Sequence, residues 1–436
     1  MGAWKPVPAW RRYACPGRAA DPCNLQIRGK IMKPIATTIT AMLLTLTAGT
    51  VSAQPQEWVP AWAASPEAVW NTEFDFPTGL PESIAGQTIR QPLTLAWGGD
   101  SLRITLSNSY GTKPLPVDAA MVAHGGEAAA LEGRELPVLF GGKPKVIIPP
   151  GARIVSDPVA LPVDAGQRLA VTLHYGEGAV AQDFHWDARE TGFVLDGDRI
   201  EEEITARLTL ANVLTDHPAG MVVAAMGDSI TDGNGAAMNE DVRWPDFLAR
   251  RLASEGVAVI NAGISGGRLL SDGMGESVLA RIDRDAFAVP GIDAVVLLIG
   301  TNDIAWPGSP FAPDETPMTL DRLQAGIAAV AAKSKAQGVR LIVGTVPPFR
   351  GALPDTPLAA TYWSDGKDAL RREFNDWLRK TDLVDALVDF DAVLRDPDDP
   401  SQLNPSYDSG DRLHPGAEGN EAMAAAISLE LLRGKE

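Results

Sequence analysis

Cysteine is almost missing from these 436 residues, and the two present, Cys15 and Cys23, both stand close to the N-terminus. Long apolar runs are scarce as well. The strongest follows Met32 and reads MKPIATTITAMLLTLTAGTVSAQPQ, with Lys33 as the charged flank, Ile35 to Ala48 as the apolar centre and Val51-Ser52-Ala53 as a small-residue cleavage site. This is the pattern of a secretory signal peptide, its apolar part being shorter than the ~20 residues of a comfortable membrane span. We expect a signal peptide over 32–53, cleavage after Ala53, and a non-native leader over 1–31 that arises from a start codon placed too early. The mature chain then holds no cysteine, which excludes disulfides, thiolate metal sites and cysteine nucleophiles together. With no second run long enough for a stop-transfer helix, the expected product is soluble and periplasmic or secreted, with no integral membrane segment.

Positive charge is also in short supply. There are 38 basic against 56 acidic residues, a net charge of −18. Residues 1–53 carry seven of the basic residues and one acid, so the mature chain stands at −24. Such a surface repels a phosphate backbone, so nucleic acid is not an expected partner, and anionic membranes and highly anionic substrates are disfavoured for the same reason. At 45% hydrophobic and 22% charged, the composition is that of an ordinary globular protein.

What is present divides into two textures. From about Gln54 to Pro218, short alternating runs such as PLTLAW (92–97), SLRITLSN (101–108), KVIIP (145–149) and RLAVTLHY (168–175) are punctuated by Gly and Pro. Period-two alternation between turn residues predicts an all-β sandwich or jelly-roll-like domain over 54–218. From Met221 onward, continuous apolar runs predict strands buried on both faces: MVVAAM (221–226), VAVI (257–260), DAVVLLI (293–299), RLIVGTV (340–346) and LVDF (387–390). Between them apolar residues recur at helical spacing, as in Trp244, Phe247, Leu248 and Leu252, or Leu370, Phe374, Trp377 and Leu378. Strand–helix alternation predicts a parallel α/β sheet over 219–436.

Open α/β sheets bind ligands outside the carboxyl ends of their strands. The first run ends in Gly227-Asp228-Ser229, the second in Asn261-Ala262-Gly263-Ile264-Ser265-Gly266-Gly267, and the third in Gly300-Thr301-Asn302-Asp303. A hydroxyl, glycine-exposed N–H groups and an amide at neighbouring strand ends can supply a nucleophile and an oxyanion hole. The base has one candidate late in this half, His414, three residues after Asp411, a spacing at which the carboxylate can hold one imidazole nitrogen. The other histidines, His124, His174, His185 and His217, lack ligand-like spacing. They read as surface or satisfied structural residues, and neither a catalytic metal nor a cofactor is expected.

Four blocks, MGDSITDG (226–233), NAGISGG (261–267), GTND (300–303) and DRLHP (411–415), together resemble the SGNH, or GDSL-type, hydrolase superfamily of esterases and lipases. The resemblance implies a three-layer α/β/α, flavodoxin-like domain. It implies Ser229 as nucleophile, His414 as base, Asp411 as the partner of His414, and an oxyanion hole of the Ser229 and Gly266 N–H groups with the Asn302 side chain. The block has Ile230 where the family name has Leu, an apolar exchange that leaves the chemistry intact. Softer cues, WAASP (62–66), the 90–115 segment and PPGARIVSDPV (149–159), resemble a subgroup with a preceding β-rich domain, some of whose members act on acetylated plant polysaccharides. The expected function is therefore a short-chain, acetyl-type serine esterase on a small-molecule or polysaccharide ester such as acetylated xylan.

Other readings compete. Gly263-Ile264-Ser265-Gly266-Gly267 also fits a G-x-S-x-G nucleophile elbow, with Ser265 as nucleophile, but leaves the GDS and Asn302 blocks without a role. A lipase or phospholipase on longer acyl chains, and a catalytically silent polysaccharide-binding protein, are the functional rivals. Arg268, Trp306 and Trp363 are further candidates for substrate contact, whereas Trp244 and Trp377 lie on helical stripes and read as core.

Overall fold

The computed structural model describes residues 57–434 except 72, 73 and 75, so the expected leader, signal segment and both cysteines lie outside the described residues. Two antiparallel sheets form the first half. One has four strands, in the order Val59–Ala63, Leu210–Thr215, Leu102–Asn108, Ala152–Val155. The other is larger and is built around Thr88–Thr94, Arg168–Tyr175 and Leu115–Gly125, with Arg199–Ile204 and Leu131–Val138 at its ends. Their inward residues, Ile104, Leu106 and Val213 from the first sheet and Ile89, Val122, Val171 and Leu173 from the second, share one buried core. This is the packing of a β-sandwich. A small third sheet pairs Glu67–Ala68, Asp183–His185 and Arg207–Leu208.

Pairing turns from antiparallel to parallel between Thr215 and Met221. Five parallel strands follow in the spatial order Val257–Gly263, Met221–Gly227, Ile292–Leu298, Arg340–Gly344, Ala386–Val388. Along Met221–Gly227 the side chains alternate between two buried faces. Met221, Val223 and Ala225 pack against helices Trp244–Leu252 and Ala417–Ala426, while Ala224 and Met226 pack against Leu320–Gln337 and Asp365–Leu378. Burial on both faces is why these strands read as unbroken apolar runs. The result is a three-layer α/β/α arrangement with the flavodoxin-like order 2-1-3-4-5, whose switch point lies at the first strand. Ser229 stands at the end of that strand.

Both halves lie in one compact unit, Pro55–Glu436. Val59 of the sandwich packs on Val222 and Ala258 of the parallel sheet. Trp70 and Trp186 pack against the cores of both halves. Polar ties run alongside: Trp70 Nε1 donates to Met274 O at 2.6 Å, Tyr110 Oη donates to Glu276 at 2.6 Å, and Thr94 Oγ1 donates to Asp241 at 2.7 Å. Among the described residues, no helix is long and apolar enough to cross a membrane.

Candidate active site

The chain leaves the first parallel strand through Asp228, whose carboxylate caps the short helix Ser229–Asp232 by accepting from Ile230 N at 3.1 Å. The Ser229 amide, in the first turn, has no intrahelical acceptor. Gly233 ends the helix in the left-handed conformation that its φ of 118° requires. The second strand approaches so closely that a Cβ on Gly263 would meet Asp232 N at 2.3 Å, which is why that position carries no side chain.

His414 reaches Ser229 from the far end of the sequence. Its Nε2 lies 2.8 Å from Ser229 Oγ, and its Nδ1 lies 2.6 Å from Asp411 Oδ2. Asp411 Oδ1 accepts the backbone N–H groups of His414 at 2.8 Å and Leu413 at 2.9 Å, a tight turn made possible by Arg412 at φ 60°. Burial alone raises the Asp411 carboxyl, but the hydrogen bond and charge of His414 and the two backbone donors outweigh it and hold the group at about 2. A hydroxyl against an imidazole whose other nitrogen faces an ionised carboxylate is the array that makes a serine nucleophilic.

Asn302 is oriented from both ends of its amide. Nδ2 donates to Gly267 O at 3.0 Å, and Oδ1 accepts from Tyr362 Oη at 2.7 Å, which determines which end is nitrogen and leaves the second N–H unspent. Burial pushes the Tyr362 hydroxyl well above its ordinary value, so it stays a donor. Gly266, at φ 69°, lies so close to Met274 that a Cβ would meet its sulfur at 2.3 Å. The loop holding Gly266 is pinned on either side by carboxylates: Asp232 accepts from Ser265, and Asp303 accepts Leu269 N at 2.7 Å and Leu270 N at 3.2 Å.

Ser229, Gly266, Asn302, Asp411 and His414 all line one cavity of about 530 Å³. Its walls are largely apolar and aromatic. Trp306 stacks on Phe311 with ring centroids 4.6 Å apart, and Phe76 and Trp186 come from the first half of the chain. Trp70 and Phe74 back this wall, each within 5.4 Å of a neighbouring ring. Strand periodicity does not announce the aromatic contribution of Trp70, Phe74, Phe76 and Trp186; the density of Trp and Phe between positions 70 and 76 is the signal in the sequence that points to it.

Of the three other candidates, Trp306 lines the cavity and two do not. Arg268 is buried in an ion pair with Glu315 at 2.6 Å, lies over the Trp306 ring and donates to Asp272 O. Trp363 is covered on one face by Arg350, while its neighbour Tyr362 takes the place on the cavity wall. Ser265, the alternative nucleophile, is 2% exposed and donates its hydroxyl to Asp232 at 2.8 Å; the imidazole of His414 faces Ser229 instead.

Residues 225–422, just under half of the chain, match the model of the GDSL-like lipase/acylhydrolase family. No curated protein matches the chain significantly. Among solved structures, the chain is similar to a GDSL-like lipase from Bacteroides thetaiotaomicron, with 22% identity, 48% of this chain and 87% of that one covered, and a TM-score of 0.36. It is also similar to a catalytic mutant of an acetylxylan esterase from Geobacillus stearothermophilus, with 22% identity, 50% and 99% covered, and a TM-score of 0.34. The segment that carries all four sequence blocks is the one that matches the GDSL-like lipase/acylhydrolase family, and the protein is an ester hydrolase.

Proposed function

We propose that the protein is a secreted or periplasmic serine esterase in which Ser229, His414 and Asp411 form the catalytic triad and the N–H groups of Ser229 and Gly266 with Asn302 Nδ2 form the oxyanion hole. The observation that carries this reading is the continuous Ser229–His414–Asp411 line, with spacings of 2.8 Å and 2.6 Å, among the residues that line the cavity. In this mechanism Ser229 Oγ adds to the ester carbonyl as its proton passes to His414 Nε2. The imidazolium is stabilised by Asp411, and the three N–H donors take the charge that develops on the carbonyl oxygen. Collapse of the tetrahedral adduct breaks the ester C–O bond, and His414 returns the proton to the departing alcohol. Water, deprotonated by the same imidazole, then releases the acid from Ser229.

For the substrate, we favour short acyl esters of a neutral saccharide. The strongly acidic chain disfavours polyanions, and aromatic walls such as Trp306, Phe311 and Trp186 suit the apolar face of a sugar ring. The cavity is far larger than an acetyl group needs, so most of it is left for the alcohol part. One observation favours a second reading, esters of longer acids: Leu353, Pro357, Leu358 and Leu413 add aliphatic surface to the cavity lining. Hydrolysis of a p-nitrophenyl series from acetate to palmitate, with acetate release from acetylated xylan and a Ser229→Ala control, separates the two. Ser229-dependent activity that peaks at acetate and extends to acetylated xylan supports the saccharide reading. A maximum at long chains replaces it with the lipase, and activity surviving Ser229→Ala overturns the site.

A further inference from the structure

Behind the oxyanion loop lies a buried polar cluster that the mechanism above does not use. Ser265 gives both its N–H and its hydroxyl to Asp232 Oδ2, each at 2.8 Å. The other oxygen, Asp232 Oδ1, lies 2.9 Å from Nε2 of His185. His185 belongs to the small antiparallel sheet of the first half, and its Nδ1 faces Ser65 O at 3.0 Å and Glu67 Oε1 at 3.8 Å. All four of Glu67, His185, Asp232 and Ser265 are at most 6% exposed. Nδ1 faces the Ser65 carbonyl, which can only accept, and Nε2 faces a carboxylate, so both ring nitrogens are best used as donors and the ring is best held as imidazolium. The serine hydroxyl lies on the carboxylate and not on the imidazole, so this serine–aspartate–histidine set is not a second nucleophile.

Position gives the cluster its meaning. Asp232 ends the same four-residue helix that begins with Ser229, and Ser265 immediately precedes Gly266. The peptide joining Ser265 to Gly266 carries the N–H assigned above to the oxyanion hole, so whatever fixes Ser265 aims that donor relative to the nucleophile. The geometry points to His185 and Asp232 as positioning residues for catalysis: a clamp from the sandwich half of the chain that holds Ser265 and thereby orients the Gly266 N–H toward the developing oxyanion. This rests on the assignment of Ser229 and Gly266 proposed above. The other charged groups facing the clamp are Asp187 and Arg281, with Arg243 on the Asp232 side. Burial lowers the His185 pKa, but Asp232 and Glu67 outweigh it and raise it to about 9, while burial raises that of Asp232 and His185, Ser265 and Arg243 outweigh it and keep the carboxylate ionised.

The test uses the full chain with His185→Gln and Ser265→Ala, both normalised for active protein by titration with a fluorophosphonate. Ser265→Ala removes a single hydroxyl and leaves every buried charge paired, so it decides the matter even if His185→Gln does not fold. A lost oxyanion donor costs about 10²–10³ in kcat and a misaimed one less, so we expect kcat per active site to fall about thirtyfold in His185→Gln and about tenfold in Ser265→Ala, with KM within about threefold. Affinity for a phenylboronic acid, whose tetrahedral adduct fills the oxyanion hole, should fall in parallel with kcat. A merely structural role lowers the titrated fraction but leaves kcat per site and boronate affinity unchanged, and that result overturns the clamp. If the fluorophosphonate fails to label Ser229 in the wild type, the underlying site assignment is itself wrong, an outcome distinct from any change in the variants.

Discussion

Asn302 and Tyr362 illustrate how much of the site rests on single hydrogen bonds. The amide is held by Gly267 O on one side and by the Tyr362 hydroxyl on the other. In the proposed mechanism, replacing Asn302 by Ala removes a donor to the oxyanion and should lower kcat roughly 10²–10³-fold with little change in KM. Tyr362→Phe keeps the ring and the donor but frees the amide to rotate, so a smaller loss in kcat is expected, about tenfold, again without a rise in KM. Steady-state kinetics on one short ester checks both; an Asn302→Ala enzyme with unchanged turnover would remove Asn302 from the mechanism. Asn302, Ser229, Gly266, Asp411 and His414, which line one cavity, could be picked out together in the sequence because each falls in a short block at a strand end or before a helix, where local order in the chain is also order in space. Tyr362 was not, because it meets Asn302 across 60 residues and no local pattern announces such a contact. Arg268 was misread for a related reason: adjacency to Gly266 in sequence says nothing about which way the side chain turns, and Glu315 draws it away from the cavity.

Among the elements, the parallel strands were readable to within three residues at either end, since burial on both faces demands an unbroken apolar run. The observed Met221–Gly227 and Ile292–Leu298 sit on MVVAAM and DAVVLLI. Several sandwich strands escaped. Leu115–Gly125 carries Asp118 and His124 on its outer positions, and Arg199–Ile204 is almost wholly exposed and rich in glutamate, so neither looks like a strand in isolation. The chain ends in two helices, Ala417–Ala426 and Leu429–Arg433, because Ser428 caps a new start by accepting from Leu431 N. The small sheet that carries Glu67 and His185 makes a prediction of its own. Burial raises Glu67 to about 8, and His185 is raised to about 9 by its carboxylate partners. A folded-state pKa above the unfolded one gives stability that is complete below the unfolded value and is lost as pH rises through the folded value. For Glu67 that loss runs from 4.5 to about 8, and for His185 from 6.5 to about 9. The melting temperature should therefore fall as pH rises from about 6.5 to 9, and fall less steeply in Glu67→Gln. Identical slopes in wild type and variant, measured by thermal denaturation across that range, would mean that Glu67 does not take up its proton on folding.

At the scale of the whole molecule, the two textures of the sequence do not act as independent bodies. Trp70 and Trp186 belong to both cores, Arg281 donates to Ser65 Oγ at 3.4 Å as well as to Gly227 O at 2.9 Å, and Phe76 and Trp186 complete the cavity around Ser229. Such continuity predicts one cooperative unfolding transition, with calorimetric and van't Hoff enthalpies in agreement. Two resolved transitions in differential scanning calorimetry would show that the halves unfold separately. None of this joining was visible in the sequence: hydrophobic periodicity reveals which face of an element is apolar, but not which other element covers it. The central claim remains the identity of the nucleophile, and the most direct measurement is peptide mapping by mass spectrometry after stoichiometric reaction with a fluorophosphonate. A single adduct on Ser229, abolished in Ser229→Ala, is the predicted result, and an adduct on Ser265 would contradict the account.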